Sequence, residues 1–108
     1  MNNSHIVNIQ LKYSNSFSVV SGRTPGLDCY ELQMKAIIED NIHKQDLKVN
    51  IIFPDFIKIV SGSYLLGMFE EISNMIGIER IKEVFSFTDN TGYDLMLLLQ
   101  NELKRSAC

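Results

Sequence analysis

Residues 50–69 read Asn-Ile-Ile-Phe-Pro-Asp-Phe-Ile-Lys-Ile-Val-Ser-Gly-Ser-Tyr-Leu-Leu-Gly-Met-Phe, and this stretch changes its period half-way. Its opening, read together with the Val49 that precedes it (Val49 to Phe53), is apolar and β-branched, the composition of an interior strand. Pro54-Asp55 ends regular pairing, because proline has no N–H to give to a ladder. A second apolar stretch, Phe56, Ile57, Ile59 and Val60, leads into Ser61-Gly62-Ser63. A serine there can accept the free N–H groups that open a helix. From Tyr64 to about Met75 the spacing is helical and apolar on most sides, and Gly77 stands where a helix C-terminus is expected. This helix is expected to be the most buried, with its surplus of apolar positions a candidate partner-binding patch.

Upstream, Val7, Ile9, Leu11 and Tyr13 alternate with Asn8, Gln10 and Lys12, a strand with one buried face over 6–13. Ser14-Asn15-Ser16 is turn chemistry, and Phe17 to Val20 reads as a second strand, so an antiparallel hairpin is expected. Ser21 to Gly26 reads as a loop. Asp28 and Glu31 have the spacing of a capping box for a helix running to about His43, with Tyr30, Met34, Ile37, Ile38 and Ile42 inward. Downstream, Arg80-Ile81-Lys82 leads into a last strand over 83–88. Asp89 to Gly92 is a turn, with Thr91 and Asp94 at capping-box spacing. A final helix from Gly92 or Tyr93 to about Lys104 turns Leu95, Leu98, Leu99 and Leu103 inward, and Lys104 and Arg105 suit its C-terminal dipole.

The expected order is β-β-α-β-α-β-α: one α/β domain over 1–108, ordered from about 6 to 105, with helices packed on a mixed four-stranded sheet. A chain of 108 residues, 45% apolar and 21% charged, is long enough for a core without staples and too apolar for disorder. Net charge is -3 and the cations are scattered, which argues against nucleic acid as partner. No charged-then-apolar leader and no apolar run near ~20 residues appear, so a cytoplasmic protein with no membrane association is expected. Cys29 and Cys108 make no disulfide framework, and with His5 and His43 they show no metal-ligand spacing; no cofactor or metal is expected.

With these residues in view, the 50–69 stretch is similar to the STAS domain family, and more closely to a STAS-like bacterial branch. There an apolar strand, a short gap and a serine-rich turn ending in Ser-Phe-Leu open a helix. Ser61-Gly62-Ser63-Tyr64-Leu65 stands in that place, with Gly67 and Phe69 one turn on, and Gly22 to Gly26 resembles the branch's Arg- and Gly-containing loop. The resemblance covers roughly residues 6–105. It implies a non-enzymatic regulatory module of the anti-sigma-factor-antagonist kind, whose partner is an anti-sigma factor or an ATPase of the histidine-kinase-like fold. In that family phosphorylation of a serine at the start of the central helix releases the partner. Here Val60 replaces the acidic residue of the phosphorylated type and Gly62 separates the serines, so Ser61 and Ser63 both stand as acceptors. The alternative is a small-ligand or nucleotide sensor, since a helix N-terminus holds anions.

Each candidate has a plainer explanation. Ser61 and Ser63 also suit a turn and N-cap. Arg23, between glycines and a proline, is a partner- or anion-binding candidate with Gly62 and Tyr64, yet a loop arginine also simply solvates. Gly22 and Gly26 suit positive-φ backbone better than a phosphate cradle. Cys29, near the expected helix start, has no assigned histidine. Asp28 suits a cap, and Glu70, Glu71 and Glu79 suit a solvated surface; no carboxylate pair has the spacing for acid–base catalysis.

Overall fold

The computed structural model describes residues 5–107. Cys108 lies outside the described residues. The strands are β1 (His5–Gln10), β2 (Val19–Val20), β3 (Leu47–Ile52), β4 (Ile59–Val60) and β5 (Phe85–Thr88). The helices are α1 (Arg23–Cys29), α2 (Lys35–Asn41), α3 (Gly62–Ile76), α4 (Ile78–Val84) and α5 (Leu95–Ser106), with a π-helical turn, Tyr30–Met34, joining α1 to α2. The α/β class holds, but the expected mixed four-stranded sheet does not form. There are instead a three-stranded parallel sheet, ordered β1-β3-β5, and a separate two-stranded parallel sheet, β2-β4.

The expected hairpin fails because the turn after β1 does not reverse the pairing. Leu11 still donates its N–H to Ile52, and the chain then turns between Ser14 and Phe17. The partner segment breaks at the same level: Phe53 donates to Thr88, and Ile57 donates back to Pro54. Beyond the break Lys58 and Ile59 both donate to Ser18, and Ser61 to Val20, which builds β2-β4. This pairing buries Val20 and Val60 together, whereas an isolated hairpin would have little to bury against.

Period two places the core correctly. Ile9, Leu47, Val49, Ile51 and Phe85 face the helices, and the Phe69 ring of α3 lies edge-on to Phe85 and Phe87 at 5.0 and 5.7 Å. The other sheet face is open: Ile6, Asn8, Gln10, Lys48, Ser86 and Thr88 are exposed. β3 is central, as expected of Val49 to Phe53, yet it is covered on one side only.

The first helix starts earlier than its residues suggested. Gly22, at φ 95°, is the N-cap, and Ser21 to Gly26 is not all loop. Pro25 fits the first turn, where its missing N–H has no partner to lose. Asp28 therefore sits inside α1 and caps nothing. Gly26 is helical rather than positive in φ, and its role is contact. A Cβ there would lie 2.1 Å from the Tyr64 carbonyl oxygen, and one at Gly67 would lie 2.0 Å from that of Arg23. The α1 and α3 backbones thus touch at two glycines. The π-helical turn keeps Tyr30, Met34 and Ile38 buried while Ile37 drifts outward.

α3 opens at Gly62 under the Ser61 cap, two residues before its expected start, and ends at Gly77 with φ 86°, as expected. Tyr64 to Phe69 and Ile72 are all buried, so core packing absorbs most of the supposed surplus; Met75 remains exposed. The residues before β5 form α4, so the last strand starts at Phe85 and not at Glu83. α5 starts later than expected, at Leu95, because Asp94 is itself the cap, accepting from Leu97 N–H at 3.0 Å. Leu95, Leu99 and Leu103 are inward, with Leu98 partly so.

Two side chains stand in for missing strand neighbours. Gln33 bonds both backbone groups of Lys12, accepting its N–H at 2.7 Å and donating to its carbonyl at 3.0 Å. The Tyr93 hydroxyl does the same for Val60, accepting and donating at 2.8 Å.

Candidate functional site

The serine turn lies where β4, α3 and the loop before α1 meet. Ser61 has extended backbone, φ -76° and ψ 157°, and its Oγ accepts the Tyr64 N–H at 3.1 Å. The Gly22 N–H is shared between Ser61 Oγ at 3.3 Å and Ser63 Oγ at 3.2 Å, and the two hydroxyls are 3.0 Å apart. A hydroxyl has two lone pairs and one proton. Ser61 Oγ already accepts the Tyr64 N–H and a share of the Gly22 N–H, so the arrangement that uses each lone pair once has Ser61 donating to Ser63. Ser63 then accepts from Gly22 and Ser61, and its own proton is the one left over. Both serines are half-buried.

Gly62 has an acidic neighbour from α5. A Cβ at Gly62 would lie 2.9 Å from the Glu102 carboxylate, a group largely buried and held 3.5 Å from Arg105. A carboxylate beside the first turn of α3 satisfies the positive potential that an incoming anion would seek. The site therefore supplies its own counter-charge.

Arg23 lies on the first turn of α1 and forms a two-point ion pair with Glu70 of α3, its Nε at 3.3 Å from Oε1 and its Nη2 on Oε2. Glu70 is thus a partner and not merely solvated. The pair bridges the same two helices as the glycine contact, but being exposed it contributes at most about 1 kcal/mol.

Tyr64 points away from the serines. Its hydroxyl is 2.6 Å from that of Tyr13, which lies 3.5 Å from Cys29 Sγ. Burial raises all three groups above their ordinary pKa values, so they are protonated at neutral pH. Cys29 ends α1 rather than starting a helix, and its thiol is pushed up, not down. His5 opens β1 and His43 follows α2, and neither takes part in the hydrogen bonds of this cluster. Among the described residues no three His, Cys, Asp or Glu side chains gather as metal ligands would. Among the described residues no helix is long and apolar enough to cross a membrane.

Above the tyrosines lies a groove of about 270 Å³ lined by Tyr13, Phe17, Val19, Val20, Ser21, Pro25 and Tyr64. Phe17 and Val19 of this lining, and Ile59 outside it, are each half exposed (50%, 51% and 50%), and Val19 and Ile59 are direct register neighbours. The exposed apolar patch therefore lies on β2-β4 and not on α3, where the sequence suggested it.

Comparison with protein-family models, curated proteins and solved structures finds no match to this chain.

The serines, Gly62 and Gly22 come together, with Tyr64 in the same first turn of α3 and Arg23 across the α1-α3 contact. Sequence reasoning missed Tyr13 and Glu102. Tyr13 continues the inward stripe of Val7, Ile9 and Leu11, so its direction was legible. Nothing local ties Glu102 to Gly62.

Proposed function

We propose that this chain is a STAS-like protein-interaction module of a regulatory circuit and not an enzyme. Its docking surface is the apolar β2-β4 patch, and its switch is the adjoining serine turn. The observation that carries this reading is the sharing of one Gly22 N–H by two serine hydroxyls. That bond ties the loop between β2 and α1 to the first turn of α3. Ser63 is the acceptor in this reading, because only its hydroxyl proton is uncommitted. A phosphate on Ser63 adds about -1.5 to -2 charges. A group of that size and charge does not fit the half-buried contact in which Ser63 Oγ lies 3.0 Å from Ser61 Oγ and 3.2 Å from the Gly22 nitrogen, so it would displace the Gly22 tie and shift the β2-α1 loop that borders the docking groove. The partner implied by the family resemblance, an anti-sigma factor or a histidine-kinase-like ATPase, belongs to this proposal. The sensor alternative is less well supported, since Glu102 already occupies the anion-attracting end of α3.

The test is site-specific photo-crosslinking in the native host, from position 19 and from the exposed position 97 on α5. One protein partner captured from 19 and not from 97 is expected, with capture lost on Ser63→Asp and kept on Ser63→Ala. Equal capture from both positions, or capture indifferent to Ser63→Asp, would refute the reading.

A further inference from the structure

β1 is an edge strand whose pairing parity is fixed. His5 and Leu11 donate their N–H groups to Asp46 and Ile52, so the odd residues bond β3 and the even ones point their backbone groups outward. At Lys12 that outward edge is covered by Gln33. Ile6, Asn8 and Gln10 have no such cover among the described residues. Edge strands are ordinarily blunted by charge, proline or a bulge. The segment His5–Gln10 contains no Lys, Arg, Asp, Glu or Pro, and its register with β3 runs without a bulge. The opposite edge, β5, is only four residues long.

The side chains say what fits this edge. Asn8 is level with Asn50, which is level with Ser86. The Asn50 amide donates to Thr88 at 2.9 Å and accepts from Ser86 at 3.2 Å. The Asn8 amide, at the open end of this polar row, makes no hydrogen bond among the described residues. An amide carries donor and acceptor together, so the group that best completes it is another amide.

We propose that the β1 edge is a homodimer interface, in which β1 pairs antiparallel with β1 of a second copy about a two-fold axis at Asn8. In this register Asn8 meets Asn8 of the partner subunit, and Ile6 meets Gln10 of the partner subunit. Each outward residue exchanges an N–H and a carbonyl, about six backbone hydrogen bonds in all. Centring the pair on Asn8 uses the described free edge, His5–Gln10, and stops where Gln33 covers Lys12. The two sheets become one of six strands, with asparagines in the four central positions of its middle row. Such isologous pairing needs no surface but the one exposed. It goes beyond the proposed function and does not rest on it.

The test is sedimentation equilibrium of the full chain up to millimolar concentration, with amide exchange followed by NMR. The wild type is expected to show a two-chain mass at high concentration, with the Ile6, Asn8 and Gln10 amides gaining protection as the dimer forms. Asn8→Asp puts like charges opposite each other on the axis and is expected to weaken association about tenfold or more while the odd-residue amides stay protected. A wild type that stays monomeric, or a dimer in which those three amides exchange freely, overturns the proposal, as does a dimer unaffected by Asn8→Asp. Should Asn8→Asp fail to fold, the concentration dependence of the wild-type amides alone decides.

Discussion

Replacing Gly26 by alanine separates two opposite expectations. In a helix interior Gly→Ala ordinarily stabilises by about 1 kcal/mol, because alanine has less backbone freedom to lose. Here the new Cβ would stand 2.1 Å from the Tyr64 carbonyl oxygen and 3.1 Å from the Tyr64 Cα. Backbone cannot swing aside as a side-chain tip does. A carbon and an oxygen need ~3.2 Å, so α1 and α3 must part by roughly 1 Å, and a gap of that size forfeits up to half of each contact's dispersion energy. Overpacking of this kind costs about 1–3 kcal/mol, to which the loosened crossing adds. A net loss of about 2–3 kcal/mol is expected after the helix-propensity gain, a fall in Tm of roughly 10–20 °C for a domain this size. Urea and thermal denaturation read it directly. Gly67→Ala should behave alike, and the double variant should cost less than the two together, because one displacement relieves both clashes. A Gly26→Ala protein as stable as wild type, or more so, would refute the close crossing.

Three more outcomes are expected. Stability should hold through neutral pH and fall in alkali. The raised groups Tyr13, Tyr64 and Cys29 stay protonated when folded, so above their ordinary pKa the unfolded chain binds fewer protons, and each group lowers ΔG by up to about 1.4 kcal/mol per pH unit; denaturation at pH 7 to 11 should show this, with a shallower fall for Tyr13→Phe. Tyr30, pushed up to about 12 by burial and the nearby Glu71, Glu39 and Glu31 charges, has a buried hydroxyl with no hydrogen-bond partner among the described residues. Tyr30→Phe should therefore be neutral or stabilising by about 1 kcal/mol in urea, and a clear loss would reveal a partner for that oxygen. Tyr93→Phe removes both bonds to Val60 and should cost about 1–2 kcal/mol, with faster exchange of the Val60 amide; unchanged exchange would count against the surrogate-strand role.

What the sequence alone determined is what periodicity and local chemistry can encode. The α/β class, the central position of Val49 to Phe53, the buried helix after Ser61 and its glycine stop at Gly77 were all legible. Each depends on residues within a turn or two of one another. Period two told which side of β1 is buried, but not which strand lies beside it or in what direction. Parallel and antiparallel ladders present the same alternation to the core. The break shared by β1-β2 and β3-β4, which undid the expected hairpin, exists only when two distant segments align. Gly26 looked like a loop residue because glycine serves both turns and close backbone contact, and only the helix opposite distinguishes the two. The serine turn was visible as a cap. That one N–H is shared between Ser61 and Ser63 depends on Gly22, 39 residues away in sequence from Ser61. Glu102 and Gln33 likewise act through space on residues far off in the chain. Tertiary structure decided these points because hydrogen-bond valence and van der Waals contact depend on position in space, to which local patterning is blind.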